Sequence, residues 1–298
     1  MPLRHERITS FETASSKATW QLKQVSPHLP SQIETLVVFD CQYGNGKFLK
    51  QTASIKVSKL FRIRSNCCLY TEPESYLGKG RPRRHGEKFK LNDPSTHFPA
   101  DELVVVKDDS LGLIRISKWA NLHFRNAYNQ KFSLLKIERL EEKKTGVKHR
   151  PLWLIWVGEE FLALEEIWSQ YARRFGIDHW YRFAKQRLHW TLPKLGTPAQ
   201  CQRWCNLVVN MTWQLWLSKE LVQEWHLPWQ KPQKNLTPQR VAQSMFSLLI
   251  EIGSPTRMTK TRGKSPGFKK GEKRRKRKTY PLVKKRPSRS KKSPKKAA

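Results

Sequence analysis

Acid is what this chain is short of. Against 58 Lys and Arg it sets 24 Asp and Glu, a formal net charge of +34 over 298 residues. That excludes a neutral surface: the chain repels itself and is drawn to polyanions, most commonly nucleic acid. The excess is not confined to one end. Residues 257–298 hold twenty Lys or Arg and one Glu, which leaves +15 on residues 1–256. Cysteine is also sparse. Cys41, Cys67, Cys68, Cys201 and Cys205 are an odd number without paired Cys-x-x-Cys spacing. This argues against structural zinc and for buried free thiols in a reducing compartment. Long apolar runs are missing as well. The most apolar stretch, around Leu207 to Leu221, is interrupted by Asn210, Gln214 and Lys219, so no membrane span is expected. Met1-Pro2-Leu3-Arg4-His5 leads into polar sequence, and no signal peptide is expected.

What remains is a chain long enough for one large domain or two modest ones, with a real core. Residues 10–28 read as a helix capped by Ser10, broken by Pro27 and Pro30. Thr35 to Phe39 is a short buried strand; Gly44 and Gly46 turn it into a helix over Lys47 to Ala53, and Leu60 to Arg64 is the next strand. Strand, helix, strand is the rhythm of a parallel α/β layer. Residues 72–102 are then loop-rich. Strand-like runs follow at Leu103–Lys107, Leu113–Trp119, Phe132–Leu140 and Leu152–Val157. From Phe161 to about Trp225 the pattern is helical, and a Pro- and Gln-rich linker precedes a last helix near Arg240 to Ile252. Beyond Ser254, Lys and Arg dominate and disorder is expected without a partner.

The residues able to do chemistry are few. Asp40 ends the apolar run Leu36-Val37-Val38-Phe39, where open α/β sheets place functional groups. Tyr171, Arg174, Asp178 and Lys185 stand at offsets that fall on one stripe of a single continuous helix. Alone, Asp40 reads equally as a cap or turn acid before Gly44, and Asp178 as a helix acid paired with Arg174 or Arg182. Together, two acids on separate elements suit metal-dependent phosphodiester chemistry. There two cations about 3.5–4 Å apart are clamped by carboxylates, activating water and stabilising the leaving oxygen. Lys185 and Arg174 would contact flanking phosphates.

The run Gly78-Lys79-Gly80-Arg81-Pro82-Arg83-Arg84-His85-Gly86 is a compact cationic loop. Arg81, Arg83, Arg84 and His85 are its candidate nucleic-acid contacts. His85, His97, His123 and His149 lie in unrelated contexts, with no metal-spaced pair. Trp119 reads as core, with base stacking as the alternative. Trp204, Trp213, Trp216, Trp225 and Trp229 read as core packing at helical spacing.

Tyr171, Arg174 and Lys185, with Asp178 where a Glu is usual, resemble the C-terminal signature of bacterial insertion-sequence transposases of the DDE superfamily. The segment Val37 to Asn45 resembles that family's second catalytic Asp followed by Tyr-Gly. Leu60 to Asn66, the Gly-Arg-Pro-Arg-Arg-His-Gly run and Arg262 to Gly267 resemble one subgroup of it. The resemblance implies an α/β chain carrying an incomplete RNase H-like fold, with a β-rich insertion and a C-terminal helical region. Residues 1–70 would be a partial core with the second acid and 71–150 the insertion. Residues 151–253 would be the last core strand and the helices bearing the third acid, and 254–298 a basic tail.

The resemblance also implies Asp40 and Asp178 as catalytic metal ligands for Mg²⁺ or Mn²⁺, and Tyr171 as a residue that orients the helix or touches DNA. The partners implied are transposon-end DNA and possibly further copies of the chain, in a bacterial cytoplasm with the nucleoid. Residues 1–39 contain no Asp, only Glu6, Glu12 and Glu34. The family's first acid would therefore have to come from an upstream polypeptide, and the chain is expected to be inactive alone. The competing expectation is a non-catalytic nucleic-acid-binding protein that relies on its tail and loop.

Overall fold

A computed structural model describes residues 2–30, 32–76, 78, 80–108, 111–141, 149–158, 162–253, 270, 271 and 273. Helix α1 (Ala14–Val25) begins later than Ser10. Thr13 caps it in both directions, its hydroxyl accepting from Ser16 N while Ser16 Oγ accepts from Thr13 N.

Strand β1 (Leu36–Phe39), helix α2 (Gly46–Thr52) and strand β2 (Ser58–Ile63) form the expected unit, and β1 runs parallel to β2. Two short strands follow, β3 (Cys68–Tyr70) and β4 (Lys88–Lys90). Then come β5 (Glu102–Asp108), β6 (Gly112–Phe124), β7 (Phe132–Arg139) and β8 (Leu152–Val157). The sheet order is β1-β2-β8-β7-β6-β3-β4, with β5 also paired to β6. The segment expected as an insertion therefore extends the same sheet. β8 lies antiparallel between β2 and β7 and joins the two parts.

Alternation of side chains across the sheet builds two cores. Leu60, Ile114, Ile116, Leu135, Ile137, Leu154 and Trp156 point to one face, where helix α3 (Leu164–Arg173) covers them with Leu164, Ile167 and Tyr171. Phe61, Ile63, Leu134, Trp153 and Ile155 point to the other, against Phe48 and Leu49 of α2. Both faces are covered, which is why Leu152 to Val157 is apolar throughout. Within β6 the register shifts between Trp119 and Leu122, and Asn121 takes the left-handed conformation (φ 56°). The bulge redirects the strand toward β3.

Three further helices, α4 (Phe175–Gln186), α5 (Pro198–Leu217) and α6 (Pro238–Ile252), surround a smaller third core of Ala184, Leu188, Val208, Leu215, Val222 and Val241. The N-terminal segment ties this helical part to α1. Trp213 Nε1 donates to the Pro2 carbonyl (2.9 Å), His5 bonds Asn206 (2.7 Å), and the Arg4 guanidinium lies 4.5 Å from the Trp20 ring. No described helix is long and apolar enough to cross a membrane.

Candidate functional site

Asp40 follows the last residue of β1, at the carboxyl end of the parallel pair. Its Oδ1 accepts from Cys41 N at 2.7 Å and its carbonyl accepts from Tyr43 N at 3.0 Å, so it also shapes the turn into α2. Asn45, not Asp40, caps that helix. The turn is pressed onto β2: a β-carbon on Gly44 would collide with the Arg62 carbonyl. Glycine is required there because the backbone approaches so closely. Tyr43 packs on Phe39 and Phe48, and burial first, then the charges of Tyr181 and Asp40, push its phenol above the ordinary range. Tyr181 of α4 is thus within electrostatic range of Tyr43.

The single helical stripe expected over residues 171–185 is broken. α3 ends at Arg173 and α4 starts at Phe175, while Arg174 stays right-handed and joins them through tighter three-residue bonds: Arg174 N to Tyr171 O, and Ile177 N to Arg174 O. Tyr171 is 1% exposed, within the core against Leu164 and Ile167. It therefore positions α3 rather than facing a nucleic acid. The side chain of Arg174 is 14% exposed, with its guanidinium 5.7 Å and 4.9 Å from the Tyr171 and Phe175 rings and 3.8 Å from the Asp178 carboxylate. Asp178, with its side chain 56% exposed, and Lys185 stand at the surface; the Lys185 ammonium lies 5.7 Å from the Tyr181 ring.

In the cationic loop, Arg81, Arg83 and Arg84 are exposed, and Arg84 sits 5.2 Å over the Tyr128 ring. His85 is turned inward. Its Nδ1 lies 2.9 Å from Nε2 of His123, with the rings 5.2 Å apart and stacked, so these two histidines are not in unrelated contexts. His123 is buried on β6 opposite Tyr70, and burial, then the His85 charge, holds it below the usual histidine range. Among the described residues no group of three or more His, Cys, Asp or Glu is placed to hold a metal ion. Asp40 and Asp178 are two acids without a third, and this residue set does not fit a metal centre unaided. The five cysteines are free and half-buried rather than buried.

Trp119 is core, its indole N–H bonded to the Phe98 carbonyl (2.9 Å). Trp204 packs against the helical core, but Trp216, Trp225 and Trp229 are exposed, against expectation. Most of the basic tail, residues 254–269, 272 and 274–298, lies outside the described residues, as do residues 142–148.

Sequence reasoning missed a cleft of about 690 Å³ beside Asp40. Arg62, Arg64, Lys136 and Arg150 line it, supplied by β2, the turn after it, β7 and the approach to β8. The only signal for it in sequence is cations next to strand ends; nothing in the order of residues pairs position 62 with position 150. No protein-family profile matches the chain, and no curated protein sequence matches it.

Proposed function

We propose that this chain is the C-terminal part of a DDE-type transposase and acts as a DNA-holding portion that does not cleave by itself. The observation that carries the reading is the position of Asp40. It closes the end strand of the sheet, at the carboxyl end of a parallel pair. Among the described residues β1 pairs on one side only. An RNase H-like core would add a parallel strand to that open side, and its terminal acid would stand beside Asp40. An upstream polypeptide is the natural donor of that strand.

In the parent reaction Mg²⁺ or Mn²⁺ supplies Lewis acidity for hydrolysis and strand transfer at transposon ends. The two acids present here do not suffice for it. What this chain's own residues supply is charge. Exposed Arg81, Arg83, Arg84 and Lys185 neutralise phosphates and fix the register of DNA on the protein. Cytoplasmic residence with the bacterial nucleoid, and assembly of several copies on paired ends, follow from the same reading.

A second reading, a non-catalytic nucleic-acid-binding protein, is favoured by the missing third acid. Purified chain on labelled duplex DNA separates the two. Both readings expect binding that weakens by about 10³–10⁵ between 50 and 200 mM salt if six to ten phosphates are held. Without residues 254–298, a transposase body keeps measurable binding, whereas a tail-driven binder loses most of it. Absence of DNA binding at 50 mM salt would sink both. Metal-dependent cutting that survives Asp40→Asn would remove Asp40 from any catalytic role.

A further inference from the structure

We infer that the cleft beside Asp40 is a track for the phosphodiester backbone of a single nucleic-acid strand, leading it toward that carboxylate. The inference rests on the nucleic-acid reading above and adds a place and a strandedness to it. Arg62, Arg64 and Arg150 all line the cleft and are exposed, and among the described residues none of them forms an ion pair. Lys136 completes the set; it pairs with Glu138 at 2.8 Å and lies 5.5 Å from the Trp153 ring. Among the described residues no Asp or Glu lines the cleft. Gathering like charges in one concavity with low-dielectric walls is unfavourable until an anion neutralises them, and such walls focus the field on that anion.

The form of the site selects the ligand. Its lining includes buried Ile63, Leu91 and Trp153 of the sheet's second core. The cations come from three separate segments rather than one loop, which suits a row of phosphates better than a single terminal phosphate. Arginine suits this role because its planar fork grips phosphate oxygens in pairs. The volume falls within the range that encloses small ligands, enough for a short stretch of strand but not for a duplex. The cleft also reaches Cys41, the residue after the acid, and the Cys41 N–H is the group bonded to Asp40 Oδ1 (2.7 Å). A strand seated on the arginines therefore passes Cys41, next to Asp40 in the chain.

Cys41 offers a local readout in the full chain. The rate of N-ethylmaleimide labelling at Cys41 and at Cys201 is followed by peptide mass spectrometry, with and without a saturating twelve-residue oligo-dT. The expected result is several-fold slower labelling at Cys41 with Cys201 unchanged. In Arg64→Glu/Arg150→Glu that protection disappears, and the salt slope for oligo-dT becomes shallower by about 0.7 for each phosphate no longer held. Arg64→Gln alone, a milder surface change, should lower the slope in the same direction if the double variant does not fold.

Equal labelling at Cys41 with bound oligo-dT, or protection that survives the charge reversal, overturns the cleft as the track. A chain that binds neither oligo-dT nor duplex by fluorescence anisotropy overturns the nucleic-acid reading itself. A twelve-residue poly-Glu that protects Cys41 as well as oligo-dT overturns the choice of a nucleic-acid strand over an acidic peptide.

Discussion

Tryptophan behaves in opposite ways in the two halves of this molecule. In the sheet, Trp153 and Trp156 belong to one strand, point to opposite faces, and are both almost wholly buried. In the helical part, Trp229 is 78% exposed, and Trp216 and Trp225 also face outward. The difference lies in what each element has to lean on. Strand β8 has β2 and β7 beside it, α2 below and α3 above, so every side chain finds a partner. Helices α4 to α6 share one small core and have no layer behind them. Charge is arranged accordingly: the arginine-lined cleft and Asp40 are built on the sheet half, while Asp178 and Lys185 stand on α4 in the helical half.

The sharpest way to break this comparison is at the centre of the sheet. Trp153→Ala should cost about 3–5 kcal/mol in urea unfolding and collapse both faces together; a loss under about 1 kcal/mol would mean the sheet is not the stable half. Next in size is an acid weakness inside that half. His123 is buried with a lowered pKa, so the unfolded chain takes up a proton first. Stability should therefore fall as pH drops below about 6.5, by at most about 1.4 kcal/mol per pH unit, until His123 itself is protonated. His123→Gln should flatten that slope, and an unchanged slope would assign the acid sensitivity elsewhere.

In the helical half, Thr197 caps α5, accepting from Gln200 N while the Gln200 side chain answers to the Thr197 N–H. Thr197→Ala should cost about 1 kcal/mol, seen as faster amide exchange confined to α5; faster exchange across the sheet would show the halves unfolding as one. Smallest of all, Trp229→Ala should change stability by less than about 0.5 kcal/mol, and a larger loss would mean its ring has a partner.

The sequence was most readable where one constraint ruled a whole segment. β8 was evident because both its faces are buried, and β1-α2-β2 because its two glycines mark the turn that the fold presses onto Arg62. β4 was missed: Lys88-Phe89-Lys90 has one apolar residue and shows no period. The break at Arg174 was missed because its backbone stays helical and only the hydrogen bonds tighten. Lys59 was not anticipated inside, yet it is buried with its ammonium on the Ile55 carbonyl (2.8 Å), and burial lowers its pKa. The His85–His123 contact joins positions 38 apart, and the cleft's cations come from three segments. Such convergences belong to the topology of the sheet and leave no local trace.

The bond between Pro2 and Trp213 has a consequence in time. Its two residues lie 211 apart. At ordinary synthesis speeds of about 5–20 residues per second, Pro2 leaves the ribosome roughly 10–40 s before its partner exists. The sheet, contained within residues 36–157, is finished well inside that interval. The strap can thus form only after every strand has been made, and α6 (Pro238–Ile252) is still to come when it does.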